Sequence, residues 1–417
     1  MTQKTFLFLL LLSLKLSAQE PPKIRINPAQ AFGGPASEYF NEIEYIPLET
    51  TKESMFGYIS RLIVTDSSFV VHDTDTHSAL FFDLKGKFIT KIEGKGENFR
   101  EKIEYNKQLK YIEFSESNKS TYKIETKYYN KLGGLANYNP NELQKASKTD
   151  GMLSLGNNYY AMGQSSYIPD VTKAKDEIIH RIEIYKNDSL YKSFLPINQK
   201  ENLAICVING FLYFTEESAK VENNAFYIST PLDYMVYHVN KDTAKAVFQF
   251  VFPANRVFSN EILKSTDKEL IKKTAESFFL NPDPLKIMNV SNIFYQGDKL
   301  FFKLNPRRYV SAEGSEILHQ YNFFYNTGTG KLVSLERLVG DEKNYFLPIF
   351  NERVRVDGLT NFANDYYYSN ISSFNMFAAR EATKDKNPQY PPVLEDYFKT
   401  QNRKSNPVIV RMKLKEQ

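Results

Sequence analysis

An all-β fold, read as a six-bladed β-propeller with a helical insertion near residues 260–280, is the fold class that this 417-residue sequence predicts. Three observations predict it. The chain carries 28 Tyr and 32 Phe but no Trp, in short apolar runs bounded by Asn, Asp, Gly or Ser, the pattern of strands separated by tight turns. A polar turn followed at once by an aromatic or aliphatic cluster recurs six times. Four further segments set turn residues between two apolar strands, as hairpins do.

The first element is a leader. Lys4 precedes an apolar run, FLFLLLLSL from Phe6 to Leu14, too short for a stable membrane anchor, and Ser17 and Ala18 follow it. Residues 1–18 are therefore expected to be a signal peptide cut near Ala18, leaving residues 19–417 as one propeller domain, soluble and exported to the periplasm or beyond. Gln19 stands where a lipoprotein would carry cysteine, so no lipid anchor is expected. The sole cysteine, Cys206, lies in the apolar LAICVING and reads as a small buried hydrophobe. Without Lys4 and Lys15, 51 basic side chains face 49 acidic ones, with both signs scattered. That excludes a nucleic-acid arm or polybasic membrane patch, and no later run is long enough for a transmembrane helix.

The six repeated marks fall at Phe69, Leu109, Tyr159, Phe211, Leu300 and Tyr366, at intervals of 40, 50, 52, 89 and 66 residues. The first three intervals match a four-stranded propeller blade. The fourth holds SNEILKSTDKELIKKTAESFFL, where Thr266 and Glu269 form a capping-box pattern and Leu270, Ile271, Ala275, Phe278 and Phe279 recur at helical spacing. PPVLEDYF from Pro391 to Phe398 has the same character. FFDLKGKFITKI, IEIYKNDSLYKSF, MVYHVNKDTAKAVFQF and NFFYNTGTGKLVSL read as the outer hairpins of successive blades. Their continuous apolar runs suit strands covered on both faces.

Both chain ends supply a strand for closing a ring. NPVIVRMKLK sets Val408, Val410, Met412 and Leu414 on one face and Ile409, Arg411 and Lys413 on the other. NEIEYIPLE, from Asn41 to Glu49, carries Pro47, which suits an edge strand. Two β domains divided near Pro253 are the rival architecture, and no Gly, Ser or Pro linker marks such a border.

Ile43 to Asn98 runs in the order PLET, glycine, strand, strand, FD, GKF and Gly-x-Gly, and SNPVIVRMKLK ends the chain. In these two stretches the sequence resembles exported bacterial six-bladed β-propeller proteins, distantly like the NHL and TolB types. It departs from their pattern after Gly96, where ENFREKIEY replaces a Pro-Gly-Glu-Tyr continuation. The resemblance implies a fold and carries over no catalytic residue.

Five histidines, at 72, 77, 180, 238 and 319, show no His-Glu-x-x-His spacing. GMLSLG from Gly151 to Gly156 lacks the spacing of a nucleophile elbow and reads as a strand. The glycines of GKG and GTG fit hairpins, not phosphate loops. Asp73, Asp75, His77 and Asp83 form the densest set of oxygen and nitrogen ligands, which ordinary turn chemistry explains better than a cation does. No catalytic residue, cofactor or metal is predicted. The candidate binding residues are Arg307, Arg308 and Tyr309, in a loop at a channel mouth, and Tyr366, Tyr367 and Tyr368, after Asn361 and Asn364, as an aromatic platform.

The expected function is that of a non-enzymatic binding or scaffold protein recognising a glycan, peptide or envelope protein. The alternative is a hydrolase or lyase acting on a carbohydrate or lactone at the channel mouth. A purely structural partner in an envelope complex is a third reading, marked by a broad apolar face.

Overall fold

The computed structural model describes residues 20–106, 110–121, 123–136, 152–187, 189–212, 219–281, 283, 285–306, 321–350, 361–363 and 365–415. Three strands come first, β1 (Lys23–Arg25), β2 (Phe32–Pro35) and β3 (Phe40–Pro47), and each joins a sheet made much later in the chain. The first sheet that is local in sequence holds β4 (Arg61–Val64), β5 (Ser68–Asp73), β6 (Ser78–Asp83) and β7 (Phe88–Glu93) in that order. The second holds β8 (Phe99–Asn106), β9 (Tyr111–Asn118) and β10 (Ile124–Tyr129). β11 (Met152–Ser154), β12 (Tyr159–Gly163), β13 (Ile178–Lys186) and β14 (Ser189–Asn198) form the third, and helix α1 (Leu203–Asn209) follows.

The fourth sheet contains β15 (Ala225–Ser229), β16 (Met235–Asn240) and β17 (Ala244–Val251), with β1 added in parallel to β17. After helices α2 (Asn260–Leu263) and α3 (Lys268–Leu280), the fifth contains β18 (Ile287–Gln296), β19 (Lys299–Pro306), β20 (Asn322–Asn326) and β21 (Leu332–Val339), with β2 parallel to β21. The sixth pairs β22 (Asn361–Ala363) with β23 (Tyr366–Ile371), then, beyond helices α4 (Ser373–Ala382) and α5 (Pro392–Thr400), β24 (Val408–Leu414), and finally β3. The fold is thus predominantly β, in several sheets of which none closes into a barrel.

All four expected outer hairpins form, as β6–β7, β13–β14, β16–β17 and β20–β21. The two expected end strands also pair, with Val408 opposite Pro47 and Met412 opposite Ile43, and β3 lies at the sheet edge where its proline costs no ladder bond. Asn406, fully buried just before β24, fastens this seam. Its amide donates to the carbonyls of Glu49 and Ser54 at 2.8 Å each and accepts from the Phe56 N–H at 3.1 Å.

The sheets are covered on both faces, which explains the missing alternation. Phe69, Val71, Leu80 and Phe82 of the first sheet pack with Tyr368 and Ile409 of the sixth. Val70 and Phe81, on the opposite face, pack with Ile103, Ile112 and Phe114 of the second. Similar cores join the third sheet to the fourth, the fourth to the fifth and the fifth to the sixth.

Two expectations shift. The helical insertion begins one residue later than the capping-box pattern suggests, because Asp267 and not Thr266 accepts from the backbone N–H groups of Glu269 and Leu270. The fourth repeat mark is misplaced: Phe211 lies in irregular chain after α1, stacked on Tyr167 at 4.5 Å. The equivalent of the third mark is Asn223–Asn224, whose φ values of 51° and 60° match the 51° and 62° of Asn157–Asn158. Both are two-residue turns with both central residues left-handed, the geometry that asparagine tolerates and strand twist favours.

Candidate functional site

First strands of several sheets meet edge to edge, where β15 touches β18, β22 touches β4, and β4 touches β8. The segment before the Asn223–Asn224 turn brings Lys220 and Glu222 to this edge. Lys220 Nζ lies 3.7 Å from the ring centroid of Phe362 on β22 and 4.7 Å from that of Phe294 on β18, and Glu222 Oε1 lies 2.5 Å from it. Side chains from three sheets therefore enclose one ammonium. The negative faces of aromatic rings attract a cation, and more strongly where water is partly excluded. Here the lysine side chain is about one-fifth exposed.

Tyr367 backs this cage. Its ring lies 4.8 Å from Phe362 and 5.2 Å from Phe301, and its hydroxyl donates to Gln296 Oε1. Burial, with the charge of Glu222, pushes that phenol well above its ordinary range, so it stays a neutral donor. Strand alternation turns Tyr366 and Tyr368 to the other face. Tyr368 is buried, edge-on to Phe69 at 5.8 Å. Tyr366 is only partly buried, donates to Glu42 Oε2 at 2.7 Å and lies under the Arg411 guanidinium at 4.7 Å. The three rings thus do not share one platform. Arg307, Arg308, Tyr309 and Asn364 lie outside the described residues, as do residues 1–19.

A groove of about 570 Å³ opens on the outer side of the fourth and fifth sheets. Asn27 builds its wall by capping a short turn through the Ala29 N–H, and the parallel additions of β1 and β2 hold the segment down. Arg25, Asn27, Gln30 and Phe32 line one side, and Phe252, Tyr325 and Leu332 the other. Phe32 is 56 % exposed, with Lys331 Nζ 5.2 Å from its ring. Aromatic faces beside amide and guanidinium donors can hold a ligand that is apolar on one side and rich in hydroxyls or carbonyls on the other.

The Asp/His segment is turn chemistry. Asp73 accepts from the Asp75 N–H and the Thr76 hydroxyl, and Asp83 from the Lys85 and Lys87 N–H groups. His77 Nδ1 lies 2.9 Å from Glu101 Oε1. His72 is buried between the first two sheets, which lowers its pKa, and its Nε2 has no hydrogen-bond partner among the described residues. Among the described residues, no set of three His, Cys, Asp or Glu side chains is placed to hold a metal ion. Cys206 is buried in α1, and burial pushes its thiol up.

The cage and the groove are absent from the sequence-derived candidates. One signal pointed to the cage: ENN at 222–224 repeats the NN of GNN at 156–158, which sets Lys220 and Glu222 just before a turn into a strand. The groove has no such signal, since its two walls are joined by pairing across more than two hundred residues.

Three solved structures that resemble the chain come from Bacteroides species. A Bacteroides fragilis protein described as exported is 12% identical, with 94% of this chain and 100% of that one covered at a TM-score of 0.53, a likeness of fold. A DUF4221-family member from Bacteroides vulgatus is 11% identical over 91% of this chain and 98% of its own, with a TM-score of 0.36. A protein of unknown function from Bacteroides caccae is 8% identical over 67% and 80%, with a TM-score of 0.32. No curated protein matches the sequence. Among the described residues, no helix is long and apolar enough to cross a membrane. The family model described as "Domain of unknown function (DUF4934)" matches residues 23–413, and the chain belongs to that family.

Proposed function

We propose that this chain is an exported binding protein, built as a six-bladed propeller distantly like the NHL and TolB types, that holds a glycan in the groove beside Phe32. Six sheets in chain order, cores joining the first to the second and the third through to the sixth, and the sixth packed on the first support the ring. The N-terminal leader and the exported Bacteroides fragilis fold relative support export, to the periplasm or the cell exterior. One observation carries the glycan reading: an exposed phenylalanine ring beside Arg25, Asn27 and Gln30, which suits the apolar face and the hydroxyl rim of a sugar. Tyr366, and in sequence Arg307, Arg308 and Tyr309, are proposed as secondary contacts.

The test is a glycan array probed with the chain from Gln19 onward, followed by titration calorimetry on the hits. Binding should fall at least tenfold in Phe32→Ser, an exposed substitution that leaves the unfolding midpoint in place. An array with no hit, or hits indifferent to that substitution, overturns the reading, and conversion of a bound glycan would make the protein an enzyme.

A further inference from the structure

We propose that the cage around Lys220 is a binding site for an ammonium group, above all a methylated one, and that the chain's own lysine fills it until such a ligand displaces it. Phe294 and Phe362 come from the first strands of the fifth and sixth sheets, while Lys220 reaches in from the fourth. Ring faces attract charge without accepting N–H hydrogen bonds of ordinary strength, so they hold a trimethylammonium as readily as a primary amine. The Glu222 carboxylate supplies countercharge at 2.5 Å. Tyr367 braces the rings from behind through Phe362 and Gln296.

Two features make the lysine an exchangeable occupant. The Lys220 and Glu222 side chains are 20 % and 47 % exposed while the ammonium nitrogen itself is buried, so the cage is reached from solvent along the lysine stem and past Glu222. Lys220 and Glu222 also stand only two residues apart and are joined as an ion pair. The flexible four-carbon stem of lysine can swing out while Glu222 stays with the rings. A tethered ammonium competes at high effective concentration, so the intact protein should bind external ligand weakly and a protein without it more tightly. This site is separate from the groove beside Phe32, and neither reading depends on the other.

The experiment titrates the chain from Gln19 onward with tetramethylammonium, comparing the intact protein with Lys220→Ala and with Lys220→Ala/Phe362→Leu. Lys220→Ala should bind at least tenfold more tightly, and the added Phe362→Leu should remove the gain. A folded Lys220→Ala that binds no better than the intact protein overturns the proposal. Should Lys220→Ala fail to fold, the intact protein decides. Amine acylation of Lys220, read by peptide mass spectrometry, should speed up several-fold in tetramethylammonium but not in equal sodium chloride. An unchanged rate shows a lysine that is never displaced and overturns the proposal.

Discussion

Asn406→Ala should break the seam between the two chain ends. The Asn406 side chain makes three hydrogen bonds to main-chain groups of the 49–56 loop, at 2.8, 2.8 and 3.1 Å, from a fully buried position. Its own N–H donates to Thr50 Oγ1 at 3.0 Å, and its carbonyl accepts from Ser373 Oγ at 2.6 Å, so the backbone is held whatever the side chain. Truncation takes the partner from the Ser54 carbonyl and the Phe56 N–H, while the Glu49 carbonyl still accepts from Ser54 Oγ at 2.7 Å. At about 1–3 kcal/mol for each of these two groups, offset where water enters the small void, the loss should be roughly 2–4 kcal/mol. Asn406→Asp should be at least as harmful, because a carboxylate would face the carbonyls of Glu49 and Ser54. Urea unfolding followed by circular dichroism reads the loss as a lower midpoint at an unchanged slope. Native-state hydrogen exchange should rise at Phe56 and along β24 before it rises elsewhere. A loss below about 1 kcal/mol, with exchange at Phe56 unchanged, would refute the idea that this residue fastens the closing strands.

Two further outcomes are expected from local geometry. Gly86 has a φ of 85°, and a Cβ there would strike the carbonyl oxygen of Pro47, so Gly86→Ala should cost about 2 kcal/mol or more, read by the same urea titration. His72 has its pKa lowered by burial, opposed by the charge of Glu101 and reinforced by that of Arg61. Its folded-state value therefore lies below the unfolded one, near 6.5, so the unfolded chain takes up the proton first. Stability from this group is present above that value and is lost as pH falls through the window beneath it. The drop in urea midpoint between pH 7.5 and pH 5.5 should be smaller in His72→Phe than in the intact protein, and an equal drop would show that His72 does not titrate with unfolding.

The legible part of this fold is the part fixed by neighbours in sequence. Lys85–Gly86, Asn187, Lys241–Asp242 and Gly328–Gly330 are turn residues between apolar strands, and each outer hairpin forms where they stand. The C-terminal strand was legible through its alternation, and β3 through Pro47 at its edge. LAICVI gave no such guidance to its helix, because a short apolar run buried all round has no period to separate helix from strand. β1 and β2 are three and four residues long, and parallel addition to a finished sheet edge needs no pattern of their own.

The candidate site was illegible for a different reason. Lys220, Phe294 and Phe362 come from three successive sheets, and each has an ordinary local reading: a charged residue before a turn, and two strand aromatics. They meet because first strands of several sheets lie edge to edge, a condition set by the stacking of whole sheets and not by any segment. The tyrosine run shows the converse. YYYSN is conspicuous in sequence, yet alternation divides its rings between two cores, and the one nearest the cage, Tyr367, serves by bracing Phe362. In a fold of stacked sheets, then, recognition residues should be sought at positions that share a level on successive first strands, where a two-residue turn such as Asn223–Asn224 fixes the level, before they are sought in conspicuous runs.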